Sequence, residues 1–248
     1  MKRSLNWLDV GGERLAVEVY GPTTPSKLLA GVLVLHGAGQ SDKSRCREVC
    51  LVLAGIGCEC VSFDFSGAGQ STRRHPQTLA KRTAEAQAVF ESYLPNFAHR
   101  SVVAFSMSGH SAIELAATPR LGIRGLILCS PAIYAEQAYE IPFGPEFTSC
   151  LRQPLSWRSS ASFRKLAKFD GRVCLVLPER DEVIPDEVFT LIERALPHPS
   201  FHKIVVKESS HTLGAWFNDH PDVAEAVIGD AWAFIATDDH LERTTFLK

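Results

Sequence analysis

Short apolar segments alternate along this chain with segments of helical periodicity, and this alternation constrains the fold more than any other feature. After an N-terminal hairpin, the pattern predicts strands at 31–37, 59–65, 101–106, 121–130, 172–177 and 202–208. Helices are predicted at 44–55, 79–93, 187–195 and 222–236, and one more begins after Met107. Strands joined through helices pair in parallel and have both faces covered. The sequence therefore predicts an α/β fold, with helices on both faces of a mostly parallel, twisted sheet of about eight strands.

Composition excludes several classes of function. The 248 residues carry a net charge of -2, which offers no basic surface to nucleic acid. No apolar run is long enough for a membrane span, and no apolar segment of a signal peptide follows the basic N-terminus. The seven cysteines contain no CxxC pair. We therefore expect reduced thiols, no metal site and a cytoplasmic location.

The stretch VVAFSMSGHSA, residues 102–112, contains three serines at the end of a predicted strand. In open α/β sheets, ligands bind beyond the carboxyl ends of the strands. A nucleophilic serine on a strained strand-to-helix turn requires small residues two positions before and after it. Ser106 meets this requirement because its flanks are Ala104 and Ser108, whereas Ser108 is followed by His110. The pattern predicts Ser106 as a nucleophile, and a helix N-cap serine is the alternative.

Two further side chains are predicted to activate this serine. A hydroxyl nucleophile needs a base, and the base needs a third group that holds its tautomer. His211 directly follows the last predicted β-strand and is the expected base. Asp181 follows the preceding strand, in the segment PERDEVIP, and is the expected acid. Its rivals are Glu179, Glu182 and Asp186, and a solvated charged loop is the alternative.

Backbone amides are predicted to stabilise the oxyanion that forms when a serine attacks a carbonyl. The amide of Met107 begins a helix, whose dipole favours negative charge there. The second donor is expected from the segment HGAG, with Ala38 as the first choice and Gly39 as the second. His36, in the same segment, is expected to organise the loop rather than to act as a base.

Five motifs in this order resemble the α/β-hydrolase family, over residues from about Gly12 to Phe234. They are LHGAG, FDFSGAGQS, AFSMSG, RDEVIP and SSHT, and the order Ser, Asp, His is also that of the family. The chain departs from the family pattern at Ala104, Ser108 and Pro178, where glycines are usual. The resemblance implies an α/β-hydrolase fold and places the chain nearest to small cytoplasmic esterases, thioesterases and acylglycerol-lipase-like members.

The segment from 133 to about 163 breaks the alternation. By resemblance, this is where the family inserts a lid, so we expect a small lid insertion, as two short helices or a hairpin, within a single domain over residues 1–248. Its apolar side chains have no evident partner except the mouth of the site. We predict that Phe143, Phe147 and Trp157 wall a substrate pocket. Packing on the edge of the sheet is the alternative.

These residues and the resemblance predict a serine hydrolase that cleaves a carboxylic ester or thioester through an acyl-enzyme, without metal or organic cofactor. An acyltransferase, a peptidase or a perhydrolase would use the same triad, and a binding protein with a vestigial triad is a further alternative. The expected partner is a small-molecule acyl substrate. Arg73 and Arg74 are candidates for holding the phosphates of an acyl-CoA or an acyl carrier, with a solvated basic loop as the alternative.

Overall fold

The protein is described by a computed structural model, which covers residues 1–23, 30–196 and 198–237. The strands found there are β1 (Lys2–Val10), β2 (Glu13–Gly21), β3 (Gly31–Leu35), β4 (Glu59–Phe63), β5 (Arg100–Phe105), β6 (Gly125–Cys129), β7 (Arg172–Pro178) and β8 (Phe201–Val206). The helices are α1 (Arg47–Gly55), α2 (Leu79–Tyr93), α3 (Ser108–Ala116), α4 (Pro145–Leu151), α5 (Ser162–Leu166), α6 (Asp186–Ala195), α7 (Leu213–Asp219) and α8 (Pro221–Ile235).

The strands form one eight-stranded sheet in the order β1-β2-β4-β3-β5-β6-β7-β8. Strand β2 pairs antiparallel with both β1 and β4, and every other pairing is parallel. The predicted mostly parallel sheet is therefore confirmed. After β3 the chain adds β4 on one side, and after β5 it adds β6, β7 and β8 on the other side. The crevice beyond the carboxyl ends of two strands related in this way is where α/β proteins bind ligands.

Side chains along each central strand alternate between two apolar layers, because successive residues of a strand point to opposite faces. In β5, Val102 and Ala104 belong to the layer that includes α2, α3 and α6. Val103 and Phe105 belong to the layer that includes α1, α7 and α8. Helices thus cover both faces, as the sequence predicts, and the sheet fixes the loops at its carboxyl edge.

The segment that breaks the alternation forms two short helices, α4 and α5, together with 3-10 turns at Glu136–Ala138 and Ser156–Ser159. The single domain over residues 1–248 stays a prediction, and its stretches 24–29, 197 and 238–248 lie outside the described residues. Within the described ranges, no helix combines the length and apolar character needed to cross a bilayer. The same ranges hold no group of three or more His, Cys, Asp and Glu side chains suited to a metal ion.

Candidate active site

Ser106 occupies a sharp turn between β5 and α3. Its φ is 49°, a left-handed conformation that is uncommon for a residue with a side chain. Its carbonyl accepts hydrogen bonds from the amides of Gly109 and Ala132, both 2.9 Å long. A Cβ on Gly109 would lie 2.6 Å from the Cβ of Pro131, so the turn packs closely enough to require glycine there. The turn has the shape that a nucleophile elbow needs.

The structure brings Ser106, His211 and Asp181 together, although they come from three different loops. Ser106 Oγ lies 2.9 Å from His211 Nε2. His211 Nδ1 lies 2.9 Å from Asp181 Oδ2 and 3.0 Å from its Oδ1. Because a carboxylate only accepts hydrogen bonds, Nδ1 carries the proton and Nε2 is free to accept one from the serine. Ser106, His211 and Asp181 thus form one continuous chain of hydrogen bonds, in the order that a nucleophile, a base and an orienting group require.

Asp181 is held by more than the histidine. The amides of Val183 and Ile184 both donate to its Oδ1, at 2.9 Å each. Burial alone would raise the pKa of Asp181, but the hydrogen bonds from His211 and from these two amides outweigh it and lower the pKa below its usual value. The rival acid Glu179 instead accepts hydrogen bonds from Lys207 Nζ and from the amide of Glu208.

The loop after β3 approaches the serine turn closely, since a Cβ on Gly37 would lie 3.3 Å from that of Ser106. The amides of Met107 and Ala38, the expected oxyanion donors, donate no hydrogen bond to another described residue. Ala38 lines the cavity that contains Ser106, whereas Gly39 lines only the neighbouring cleft. Both amides are therefore available to a substrate oxygen.

His36 is fully enclosed beneath this loop. Its Nε2 accepts a hydrogen bond from the amide of Phe65 at 3.3 Å, and its Nδ1 lies 2.8 Å from the carbonyl oxygen of Gly37. Burial, assisted by the charge of Arg82, lowers the pKa of His36 to about 3. The ring therefore stays neutral, donates through Nδ1 and fixes the Gly37 carbonyl, and this carbonyl shares a peptide plane with the Ala38 amide.

Arg82 in α2 is a residue that the sequence reasoning missed. Its Nη2 donates to the carbonyl oxygens of His36 and Gly37, at 3.0 and 3.2 Å, and to Ser108 Oγ at 3.0 Å. Ser108 Oγ also donates to the His36 carbonyl, at 2.5 Å. Ser108 is therefore a hydrogen-bonding link between the serine turn and the loop, in addition to being small.

A signal for Arg82 does exist in the sequence. Positions 79, 82, 83, 85, 86, 89 and 90 recur at helical spacing and form the buried face of α2. Arg82 and Glu85 are the two charged residues among these seven. Charged residues on a largely apolar helical face indicate specific buried partners, because an unpaired buried charge is costly.

Two cavities open on either side of the loop after β3. The first, which we call the catalytic cavity, has a volume of about 330 Å³ and is lined by Ser106, His211, Arg45 and Phe105, among others. The second, which we call the arginine cleft, has a volume of about 600 Å³ and is lined by Arg73, Arg74, His75, Gln77, Arg82 and Phe143, among others. Gly37, Ala38 and Ser41 line both, so the cavities adjoin at the loop after β3.

The three aromatic residues expected to wall the pocket occupy different places. Phe143 lines the arginine cleft. Phe147 is buried behind it, with ring centroids 4.7 Å apart, in an apolar cluster that also contains Met107. Trp157 packs against the larger core layer that includes α6, and it lines neither the catalytic cavity nor the arginine cleft.

Comparison with solved structures agrees with the fold. The thioesterase domain from the curacin biosynthetic pathway superposes with a TM-score of 0.70 at 15% identity, covering 94% of this chain and 100% of that one. The esterase Pf2001 of Pyrococcus furiosus gives 0.69 at 17% identity, covering 95% and 93%. Est1E of Butyrivibrio proteoclasticus gives 0.67 at 18% identity, covering 92% and 99%. No curated protein matches the chain.

The eight-stranded sheet and these structural neighbours define an α/β hydrolase. More particularly, the chain belongs to the family named Hydrolase_4 and described as serine aminopeptidase, S33, which matches residues 26–212. The predicted fold class and the family resemblance are thereby confirmed.

Proposed function

We propose that this protein hydrolyses a carboxylic ester or thioester by way of an acyl-enzyme on Ser106. The observation that carries the proposal is the hydrogen-bonded chain from Ser106 Oγ through His211 to Asp181, on a turn with φ of 49° at the serine. A strained backbone at a hydroxyl that already contacts a base favours catalysis over an ordinary helix cap.

The reaction proceeds in two balanced steps. Ser106 Oγ attacks the acyl carbon while its proton passes to His211 Nε2, and the amides of Ala38 and Met107 hold the oxyanion. The bond to the leaving group then breaks, and the histidine donates the same proton to it. Water then reacts in the same way: it loses a proton to His211 and attacks the acyl carbon of the acyl-enzyme. The bond to Ser106 Oγ breaks, and His211 donates the proton to this oxygen.

An acyl-CoA or acyl-carrier thioester is a candidate substrate within this class. Support comes from the thioesterase domain among the structural neighbours, which shares the fold. The leaving thiol would occupy the catalytic cavity, because His211 must deliver a proton to it. Arg45 is the arginine of that cavity, whereas Arg73 and Arg74 line the arginine cleft.

An aminopeptidase is a second candidate, favoured by the family description. The acyl half of its substrate carries a protonated amino group next to the scissile carbonyl. Of the described residues, no Asp or Glu lines either the catalytic cavity or the arginine cleft. A substrate ammonium group would face arginines in these two cavities, so their charge favours an acyl half without an amino group there.

Labelling with a fluorophosphonate tests the proposal, because this reagent phosphonylates a serine that is activated by a base. We expect one label per chain, located on the peptide that contains Ser106 by mass spectrometry, and parallel loss of 4-nitrophenyl ester hydrolysis. Absence of both would indicate a binding protein. Product analysis with added alcohol, amine or peroxide separates hydrolysis from acyl transfer and perhydrolysis.

Replacing Phe143 by alanine is expected to shift the preferred acyl chain towards longer chains. Phe143 lines the arginine cleft, so its loss enlarges the space there, and one or two methylene groups are worth about 1–3 kcal/mol in selectivity. A series of 4-nitrophenyl esters of increasing acyl length measures the shift as ratios of kcat/KM.

Trp157→Ala is the matched control, because Trp157 packs outside both cavities. We expect it to keep the wild-type order of acyl preference. If Phe143→Ala also kept that order, Phe143 would have no part in acyl selection.

A further inference from the structure

The arginine cleft is positively charged, in contrast to the protein as a whole. The chain as a whole has a net charge of -2, yet three arginines and no described Asp or Glu line the cleft. Arg73 and Arg74 are exposed, and neither forms an ion pair with a described residue. Within the described part of the chain, these two positive charges therefore have no ion-pair partner.

The loop that carries Arg73 and Arg74 is held by its backbone. Glu13, which is buried, accepts hydrogen bonds from the amides of Arg74 and His75, from Thr72 Oγ1 and from Lys81 Nζ. Burial alone would raise the pKa of Glu13, but these hydrogen bonds lower it to about 2. The backbone of the loop is thus fixed without using either guanidinium group, and both remain available to a ligand.

Arg82 adds a buried cation to the same cleft. It is only 5% exposed. Its guanidinium carbon lies 3.6 Å from the centroid of the Phe65 ring, and its Nε has no hydrogen-bond partner. The charge of the nearby Glu85, which accepts hydrogen bonds from Ser66, offsets part of the cost of burying Arg82, but burial still lowers the pKa of Arg82 to about 10. An anion in the cleft would stabilise this buried cation further.

The position of the cleft indicates which half of the substrate reaches it. His211 must protonate the leaving group, and His211 lines the catalytic cavity but not the arginine cleft. The cleft joins the catalytic cavity at Gly37 and Ala38, on the loop that supplies the expected oxyanion donor. The acyl substituent is therefore the part of the substrate that extends towards the arginines.

We propose that the arginine cleft binds an anionic group, a carboxylate or a phosphate-type group, carried on the acyl half of the substrate. This inference rests on the proposed hydrolase function and names its substrate class. Guanidinium groups bind both kinds of anion through paired hydrogen bonds. The substrate is then a monoester or monothioester of a diacid, not of a simple fatty acid.

The test compares esters that differ only in charge on the acyl chain. The pair is monoethyl adipate and ethyl hexanoate, which share leaving group and chain length, and ethyl 4-phosphonobutanoate tests a phosphate-type anion. We expect kcat/KM to favour an anionic ester over ethyl hexanoate by about tenfold or more, as charge-assisted hydrogen bonds predict. Raising the ionic strength should weaken this preference, because Arg73 and Arg74 are exposed.

The double variant Arg73→Gln/Arg74→Gln should reduce the preference to about twofold or less, chiefly by lowering kcat/KM for the anionic esters. Arg194→Gln is the matched control, because Arg194 is an exposed arginine in the last turn of α6, without an ion pair to the described residues. It should retain the full preference for the anionic ester.

Three outcomes would count against the inference, and they differ from one another. Hydrolysis of ethyl hexanoate with no preference for either anionic ester overturns it and leaves the proposed function intact. An effect of the double variant on hexanoyl-CoA, but not on the adipate ester, places the anion on the leaving half and also overturns it. Hydrolysis of no ester or thioester overturns the proposed function itself, and the inference falls with it.

Discussion

Ser106→Ala is expected to lower the turnover of any ester that the wild-type protein hydrolyses by about 10⁴- to 10⁶-fold, the range found when triad residues are removed. The hydroxyl forms the covalent bond to the acyl group, and nothing else in the chain of hydrogen bonds supplies a nucleophile. Alanine keeps the small volume that the turn requires. KM or ligand binding should therefore change little, and steady-state kinetics at high enzyme concentration measures the residual rate.

Ser108→Ala is the control for this variant. Ser108 lies two residues further on, is fully buried, and links the His36 carbonyl to Arg82 through its hydroxyl. Loss of these hydrogen bonds should cost about tenfold to a hundredfold through a misplaced oxyanion loop. An inactive Ser108→Ala protein, together with an active Ser106→Ala protein, would show that the wrong serine has been identified.

The fold could be predicted well where local signals and tertiary packing agree. Helix α2 begins and ends where expected, because Thr78 Oγ1 caps it by accepting a hydrogen bond from the amide of Lys81 and a proline follows its end. Strand β6 begins at Gly125, later than predicted, because Leu121 is buried in a 3-10 turn instead. Apolar residues mark burial in either structure, so the hydrophobic pattern alone could not distinguish them.

Helix α7 was absent from the prediction for a different reason. It has seven residues, and its large buried side chains, Leu213 and Phe217, are separated by a single turn. One such pair gives no recognisable periodicity. The helix nevertheless positions the site, since Leu213 and the two residues after it line the catalytic cavity beside His211.

The candidate triad was accessible to sequence reasoning because each member follows a strand end, and parallel strands bring their carboxyl ends to one edge. Arg82 was not accessible in this way. Its partners are the backbone carbonyl oxygens of His36 and Gly37, far away in the chain, and backbone groups have no sequence signature. Trp157 illustrates a second limit of the sequence. Its apolar side chain predicts burial, but the sequence does not identify the surface against which Trp157 packs.

Asp181→Asn is expected to lower kcat/KM by about 10³- to 10⁴-fold, because it reverses the tautomer of His211. The amides of Val183 and Ile184 both donate to Oδ1, so the asparagine oxygen must take that position. Its NH2 group then replaces Oδ2, which lies 2.9 Å from His211 Nδ1. The oxygen at the Oδ1 position also lies 3.0 Å from Nδ1, but the closer NH2 group donates towards Nδ1 and so favours the tautomer with the ring proton on Nε2. This nitrogen can then no longer accept the proton of Ser106.

Glu179→Gln is the matched control for Asp181→Asn. Glu179 lies in the same loop but contacts Lys207 and the Glu208 amide, not His211. We expect Glu179→Gln to stay within about threefold of wild type, since its ion pair with Lys207 is a surface one. Nitrogen NMR of labelled histidine should show the Nδ1–H tautomer of His211 in this variant and the Nε2–H tautomer in Asp181→Asn. If Glu179→Gln instead lost as much kcat/KM as we expect for Asp181→Asn, and Asp181→Asn were nearly normal, Glu179 would be the residue that orients the histidine.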